Sequence, residues 1–121
     1  MDQTESAPEG FLPAIHIGEL QLDRPRRVKT ANGYVVIALY ELDGAQTVAA
    51  FTPICPHAMG DLSYGMIYRG QVECPVHGYR FDVATGECVW PAGESPLRIY
   101  PTRVVDGLVY VKVEKPKWMA S

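Results

Sequence analysis

Five dipeptides ending in glycine punctuate this chain, each between two apolar runs: Asn32-Gly33, Asp43-Gly44, Arg69-Gly70, Thr85-Gly86 and Asp106-Gly107. A two-residue hairpin turn that follows the twist of its strands needs both central residues at positive φ, which Asn-Gly and Asp-Gly reach most readily. The Arg-Gly and Thr-Gly pairs carry the same signal more weakly. Strands are predicted on either side of these turns, at residues 28–30, 34–40, 48–51, 66–68, 71–73, 81–83, 88–90, 103–105 and 108–113. No segment of ten or more residues repeats at helical spacing, and ten prolines and eleven glycines break the chain often. The expected fold is all-β and antiparallel, a β-sandwich or barrel.

The 121 residues suffice for one domain, 1–121, with a real core. A net charge of −3 gives no reason to expect nucleic acid or an anionic membrane as partner. The longest apolar run, 34–40, is seven residues, far short of a membrane span. Residues 1–10 are polar and acidic, without the apolar region of a signal peptide, and are expected to be a flexible tail. A second tail is expected at 115–121, where Trp118 packs back onto the body. The loose alternation over 11–22 turns Ile15, Ile17, Leu20 and Leu22 inward and leaves His16 at the surface. Arg24, Arg26, Arg27 and Lys29 form a basic cluster that reads as a solvated face discouraging edge-to-edge pairing.

Chemistry concentrates between residues 55 and 77. The chain reads C-P-H-A-M-G over 55–60 and C-P-V-H-G-Y over 74–79, with sixteen residues between His57 and Cys74. Two of the three cysteines and two of the three histidines lie here, and two soft sulfurs with two imidazoles suit a transition metal. The Arg69-Gly70 hairpin brings the two pairs side by side at a small loop-closure cost. Pro53, Pro56, Gly60, Pro75 and Gly78 let the backbone curve around a metal centre. Such a set suits a structural Cys2His2 zinc or a two-iron, two-sulfide cluster. Zinc fingers keep their two cysteines in one short motif and their two histidines in the other. Each motif here is mixed, which favours the cluster. With two cysteines committed to metal, the odd Cys88 reads as a small buried apolar residue, and a reducing, cytoplasmic compartment is expected.

The flanking residues extend the pattern. H-G-Y-R-F-D follows the second pair, then A-T-G-E, then P-A-G-E-S-P-L-R-I-Y-P over 91–101. Together these resemble the Rieske iron–sulfur proteins. The resemblance implies one [2Fe–2S] cluster per chain in a cluster-binding subdomain of two ligand loops, about residues 51–91. By position, Cys55 and Cys74 would hold the inner iron, and His57 and His77 the outer, more exposed one. The proline-containing loop would cover the cluster. Two thiolates and two neutral imidazoles leave the oxidised core formally neutral, so it accepts an electron more readily than an all-cysteine cluster. High-potential members bridge their loops with two further cysteines and add a serine. Gly60, Val76 and Tyr79 stand at those places, which implies the low-potential ferredoxin branch.

A single such cluster passes one electron at a time. A mononuclear oxygenase iron needs two further histidines and a carboxylate, and only His16 is left; no G-x-G-x-x-G nucleotide fingerprint occurs. The expected function is therefore an electron carrier and not an enzyme by itself. By resemblance it would link a flavoprotein reductase to a terminal oxygenase that hydroxylates aromatic rings. The alternatives are the small subunit of a cytoplasmic NAD(P)H nitrite reductase and a zinc module. A monomer is expected. Tyr64, Tyr79 and Trp90 flank the loops as packing or as electron-transfer contacts. Asp61, Glu73, Asp82, Glu87 and Glu94 would make this end acidic and steer a basic partner toward it.

Overall fold

The computed structural model describes residues 9–57 and 59–114. Most of the tail expected at 1–10, and the tail expected at 115–121 with Trp118, lie outside the described residues. Among the described residues eleven strands follow in order: β1 (Leu12–His16), β2 (Arg26–Thr30), β3 (Gly33–Leu42), β4 (Ala45–Phe51), β5 (Met66–Tyr68), β6 (Gln71–Glu73), β7 (Arg80–Asp82), β8 (Cys88–Trp90), β9 (Ile99–Tyr100), β10 (Thr102–Val105) and β11 (Leu108–Val111). They pair antiparallel into three sheets, ordered β1-β11-β10, β2-β3-β4-β9 and β5-β6-β7-β8. The all-β antiparallel expectation holds, and the strands are arranged in three sheets.

The layers meet on β3. Successive side chains of a strand point to opposite faces, and both faces of β3 are covered. Val35, Ile37 and Leu39 enter one core with Ile15, Val28, Val109 and Val111. Val36, Ala38 and Tyr40 enter the other with Phe51, Leu62, Val72 and Phe81, and with the thiols of Cys55 and Cys74. An unbroken apolar run, instead of an alternating one, is what a strand buried on both sides requires. Phe51 and Phe81 are fully buried, each stabilising by about 2–3 kcal/mol through the area removed from water.

Three of the five turns form as two-residue hairpins with both residues at positive φ. Asp43 and Gly44 have φ of 52° and 83°, Arg69 and Gly70 54° and 75°, Asp106 and Gly107 51° and 81°. Asn32-Gly33 differs: Thr30 pairs with Gly33, so Ala31 and Asn32 occupy the turn and only Gly33 reaches positive φ. The Thr30 hydroxyl decides this, donating to the Gly33 carbonyl and accepting from the Asn32 amide. Around Thr85-Gly86 the Asp82 carboxylate accepts from the amides of Ala84 and Thr85 and opens a wider loop.

At the outer edge of its sheet, β2 presents Arg26, Arg27 and Lys29 to solvent, as the basic cluster led one to expect. His16 is exposed on β1, also an edge strand. Leu22 was expected inward but is exposed, because the 3-10 turn at Ile17–Glu19 breaks the alternation before it. The short β9 lies inside the proline-containing segment and was not foreseen; it pins that segment to β4 through Ala50↔Tyr100 and Phe51↔Ile99.

Candidate metal centre

Two loops carry the predicted donors, and their backbones close in the same way. In the first, between β4 and β5, the Cys55 amide donates to the Gly60 carbonyl (2.9 Å) and the Met59 amide to the Cys55 carbonyl (3.1 Å). In the second, between β6 and β7, the Cys74 amide donates to Tyr79 (2.7 Å) and the Gly78 amide to Cys74 (3.0 Å). The fourth residue after each cysteine is left-handed: Met59 at φ 57° and Gly78 at φ 76°. Glycine reaches this region freely, whereas methionine does so only where the surroundings hold it. The two loops thus repeat one shape, with Cys55 matching Cys74.

Neighbouring structure holds each loop. Glu73 and Arg80 pair across β6 and β7, so the second loop is the tip of a hairpin. The first is closed at its base by the Ile54↔Asp61 bridge and by the Leu62 amide donating to the Pro53 carbonyl (2.7 Å). Asp61 then caps the short Leu62–Tyr64 turn, accepting from the Ser63 amide (2.9 Å) and hydroxyl (2.6 Å). Arg27 on β2 reaches the same carboxylate at 3.1 Å. Partial burial pushes the Asp61 carboxyl up, but the Ser63 bonds and the Arg27 charge outweigh it and hold the group below the ordinary carboxylate range.

Both candidate thiols are fully buried at the end of the core that also contains Phe51 and Phe81. The imidazoles are unlike each other. His77 is exposed, while His57 is partly covered. The His57 Nε2 lies 2.9 Å from the carbonyl oxygen of Ser95. A carbonyl only accepts, so Nε2 is the donor here, which leaves Nδ1 as the ring nitrogen that faces a metal. Glu94 Oε1 stands 3.8 Å from that Nδ1. The ring stacks on Tyr79, with centroids 4.8 Å apart and planes 25° apart, and lies 6.1 Å from Phe81. Tyr79 in turn meets the edge of Trp90 at 6.4 Å, and the Arg80 guanidinium sits 5.8 Å over the Trp90 ring.

The donor set fits a two-iron cluster on three observations. The thiols are buried together, the loops around them are matched, and Gly60 approaches Cys74 so closely that a Cβ there would stand 2.8 Å from the sulfur. Among the described residues no three metal-binding side chains converge on one point. A centre with two donors per iron does not require that.

Cys88 is buried, and its thiol donates to the Pro91 carbonyl at 3.2 Å. Burial, and the Glu94 charge, push this thiol above its usual range. It sits in the core as a small apolar residue, as expected. Tyr64 and Trp90 are exposed, whereas Tyr79 is half-buried against His57. Sequence reasoning did not find Ser95, because a backbone carbonyl has no residue signature; its only signal is the neighbouring E-S-P of the loop.

Fold and loops together define a class: a small all-β protein with a sulfur and imidazole donor set at one end. Residues 10–101 match the Rieske [2Fe-2S] domain, and the chain belongs to this family. It is 33% identical over 110 residues to the anthranilate 1,2-dioxygenase ferredoxin subunit of Burkholderia cepacia, covering 91% of this chain and 98% of that one. It superposes on a chain from the complex of reduced oxygenase and oxidized ferredoxin in carbazole 1,9a-dioxygenase with a TM-score of 0.74 and 27% identity, covering 90% of this chain and 98% of that one. A Mycobacterium tuberculosis protein assigned as an NADH-dependent nitrite reductase small subunit is similar at a TM-score of 0.68 and 25% identity, over 84% and 92% of the two chains. The chain is thus a [2Fe–2S] electron carrier of the ferredoxin kind, a component of a larger system and not a catalyst alone. Among the described residues no helix is long and apolar enough to cross a membrane.

Proposed function

We propose that Cys55 and Cys74 hold the inner iron and His57 and His77 the outer one, within a cluster-binding unit spanning about residues 51–91. When bound, the cluster takes up and releases one electron. The chain's own residues do the rest. Phe51, Leu62 and Phe81 keep water from the two thiols, and the matched backbone closures fix where the sulfurs stand. The Ser95 carbonyl orients His57 with Nδ1 available. The observation that carries this assignment is the repeated loop shape with a buried thiol in each copy.

In this reading the carrier accepts electrons from a flavoprotein reductase and passes them to a terminal oxygenase acting on aromatic rings, in the cytoplasm and as a monomer. The ferredoxin subunit of the Burkholderia cepacia anthranilate system, similar over nearly its whole length, supports this setting. Mixing the purified protein with candidate reductase and oxygenase, and measuring substrate-dependent NADH oxidation, tests it. Turnover that depends on this protein is the expected result. Stoichiometric co-purification with a nitrite-reducing flavoprotein, with no support of oxygenase turnover, would overturn it in favour of the nitrite reductase reading.

A further inference from the structure

We propose that the outer edge of β2 docks an acidic, extended segment of a partner protein, which joins the sheet there as a further strand. The strands that form the site, β1 and β2, carry none of the four proposed metal donors, so this surface stands apart from the ligand assignment.

Only one flank of β2 is paired, by β3, so the strand turns backbone N–H and C=O groups outward. The neighbouring β1 does not use them: it is the edge of another sheet, and among the described residues it pairs with β11 alone. A groove runs between the two edges. Its floor is apolar, from Ala14, Ile15, Val28 and Leu108, and the exposed Arg26 and Lys29 stand along it. A second hollow, at Arg24 and Pro25, meets the first at Arg26. Recognition by strand addition draws affinity from the main chain and specificity from alternate side chains. Val28 and Lys29 point to opposite faces of β2. A strand laid along this edge would set one row of side chains over the floor and the other beside Lys29.

Charge selects the occupant. Arg24, Arg26, Arg27 and Lys29 lie within six residues of a chain whose net charge is −3. Arg27 is engaged already, 3.1 Å from Asp61 and stacked 4.4 Å over the Tyr34 ring, which leaves Arg24, Arg26 and Lys29 to meet a partner. The Arg26 guanidinium also reaches the Glu19 carbonyl at 3.3 Å, which steadies it. These cations repel the same edge of a second copy and attract carboxylates. A nucleic acid offers no amides to the strand edge, and its even run of phosphates would continue onto the acidic remainder of the chain. An acidic peptide segment satisfies the edge, the floor and the cations together.

The cluster-loaded full chain is tested with a fluorescein-labelled peptide of alternating glutamate and valine at low ionic strength. Fluorescence anisotropy should show saturable binding that weakens as salt is added. Lys29→Glu should weaken it by about tenfold, and the milder Lys29→Gln by roughly threefold. Arg103→Glu changes an exposed cation on β10, which β11 separates from β1, and should leave binding unchanged. Hydrogen exchange read by mass should slow over residues 26–30 when the peptide binds. No saturable binding, equal weakening by Arg103→Glu, or binding without slowed exchange in β2 overturns the proposal. So does a heparin oligosaccharide that binds as tightly as the peptide, since the edge would then take any polyanion.

Discussion

Gly60 and Val76 meet across the two loops so closely that a Cβ at position 60 would stand 2.5 Å from Val76 Cγ2 and 3.3 Å from Val76 Cβ. The same Cβ would press on the Cys74 sulfur, and neither neighbour is the loose end of a flexible side chain. Gly60→Ala should therefore drive the loops apart. Iron and acid-labile sulfide per chain should fall well below the parent value, with a stability loss of about 1–3 kcal/mol from overpacking. Metal analysis of freshly purified protein reads the first effect and denaturant melts the second.

That closeness also suits a covalent link. Disulfides join residues whose Cβ atoms are about 3.5–4.5 Å apart, and a slight widening brings positions 60 and 76 into that range. The paired substitution Gly60→Cys with Val76→Cys should form a disulfide under oxidising conditions, detected as a mass two hydrogens lighter than the reduced form. Its absence after full oxidation would mean that the loops stand further apart than described.

Asp61 sets an acid limit on the first loop. Its folded-state pKa lies below the unfolded one, so its stabilisation is complete above the ordinary carboxylate range and disappears as pH falls through the depressed value. Asp61→Ala removes the cap on Ser63 as well and should lower stability at neutral pH by about 1 kcal/mol. The gap between parent and variant melting points should stay constant from neutral down to mildly acidic pH and close at lower pH. Arg27 is nearly half exposed, so Arg27→Ala should cost less, about 0.5 kcal/mol.

Cys88 should be chemically quiet. Its raised pKa leaves little thiolate at neutral pH, and burial blocks access. Iodoacetamide should leave it unlabelled in the native protein and modify it after denaturation, as read by peptide mass. Cys88→Ser keeps a donor for the Pro91 carbonyl and should retain full iron content.

His57→Cys replaces a neutral donor by a thiolate. If a cluster assembles, its potential should fall, since added negative charge opposes the incoming electron. Voltammetry of the parent should give a value toward the lower end of the family's span of roughly −150 to +300 mV, and the variant should lie below it.

Much of this was legible before any coordinates. Asp43-Gly44 and Asp106-Gly107 form the expected turns, with both residues of each pair at the positive φ that their types reach readily. The apolar run of β3 was visible, but a run alone does not say that both faces are covered; that needs the third sheet. Arg69-Gly70, ranked as a weaker signal, forms the expected turn, while Asn32-Gly33 does not. The difference lies in the Thr30 hydroxyl, a local bond that dipeptide preferences ignore. Met59 shows the same limit. It takes the left-handed position that Gly78 takes in the second loop, because loop closure imposes a shape that methionine does not prefer. The spacing of the four donors was plain, whereas the cover over His57 comes from Tyr79 and Ser95, which only tertiary folding brings to it.

The matched backbone closure of the two loops has a consequence for speed. On the proposed ligand assignment, donors held by these amide-to-carbonyl clasps would stand fixed in both charge states of a bound cluster, so few atoms would need to shift. That would give the carrier a low reorganisation energy, and hence fast exchange even when donor and acceptor potentials lie close together.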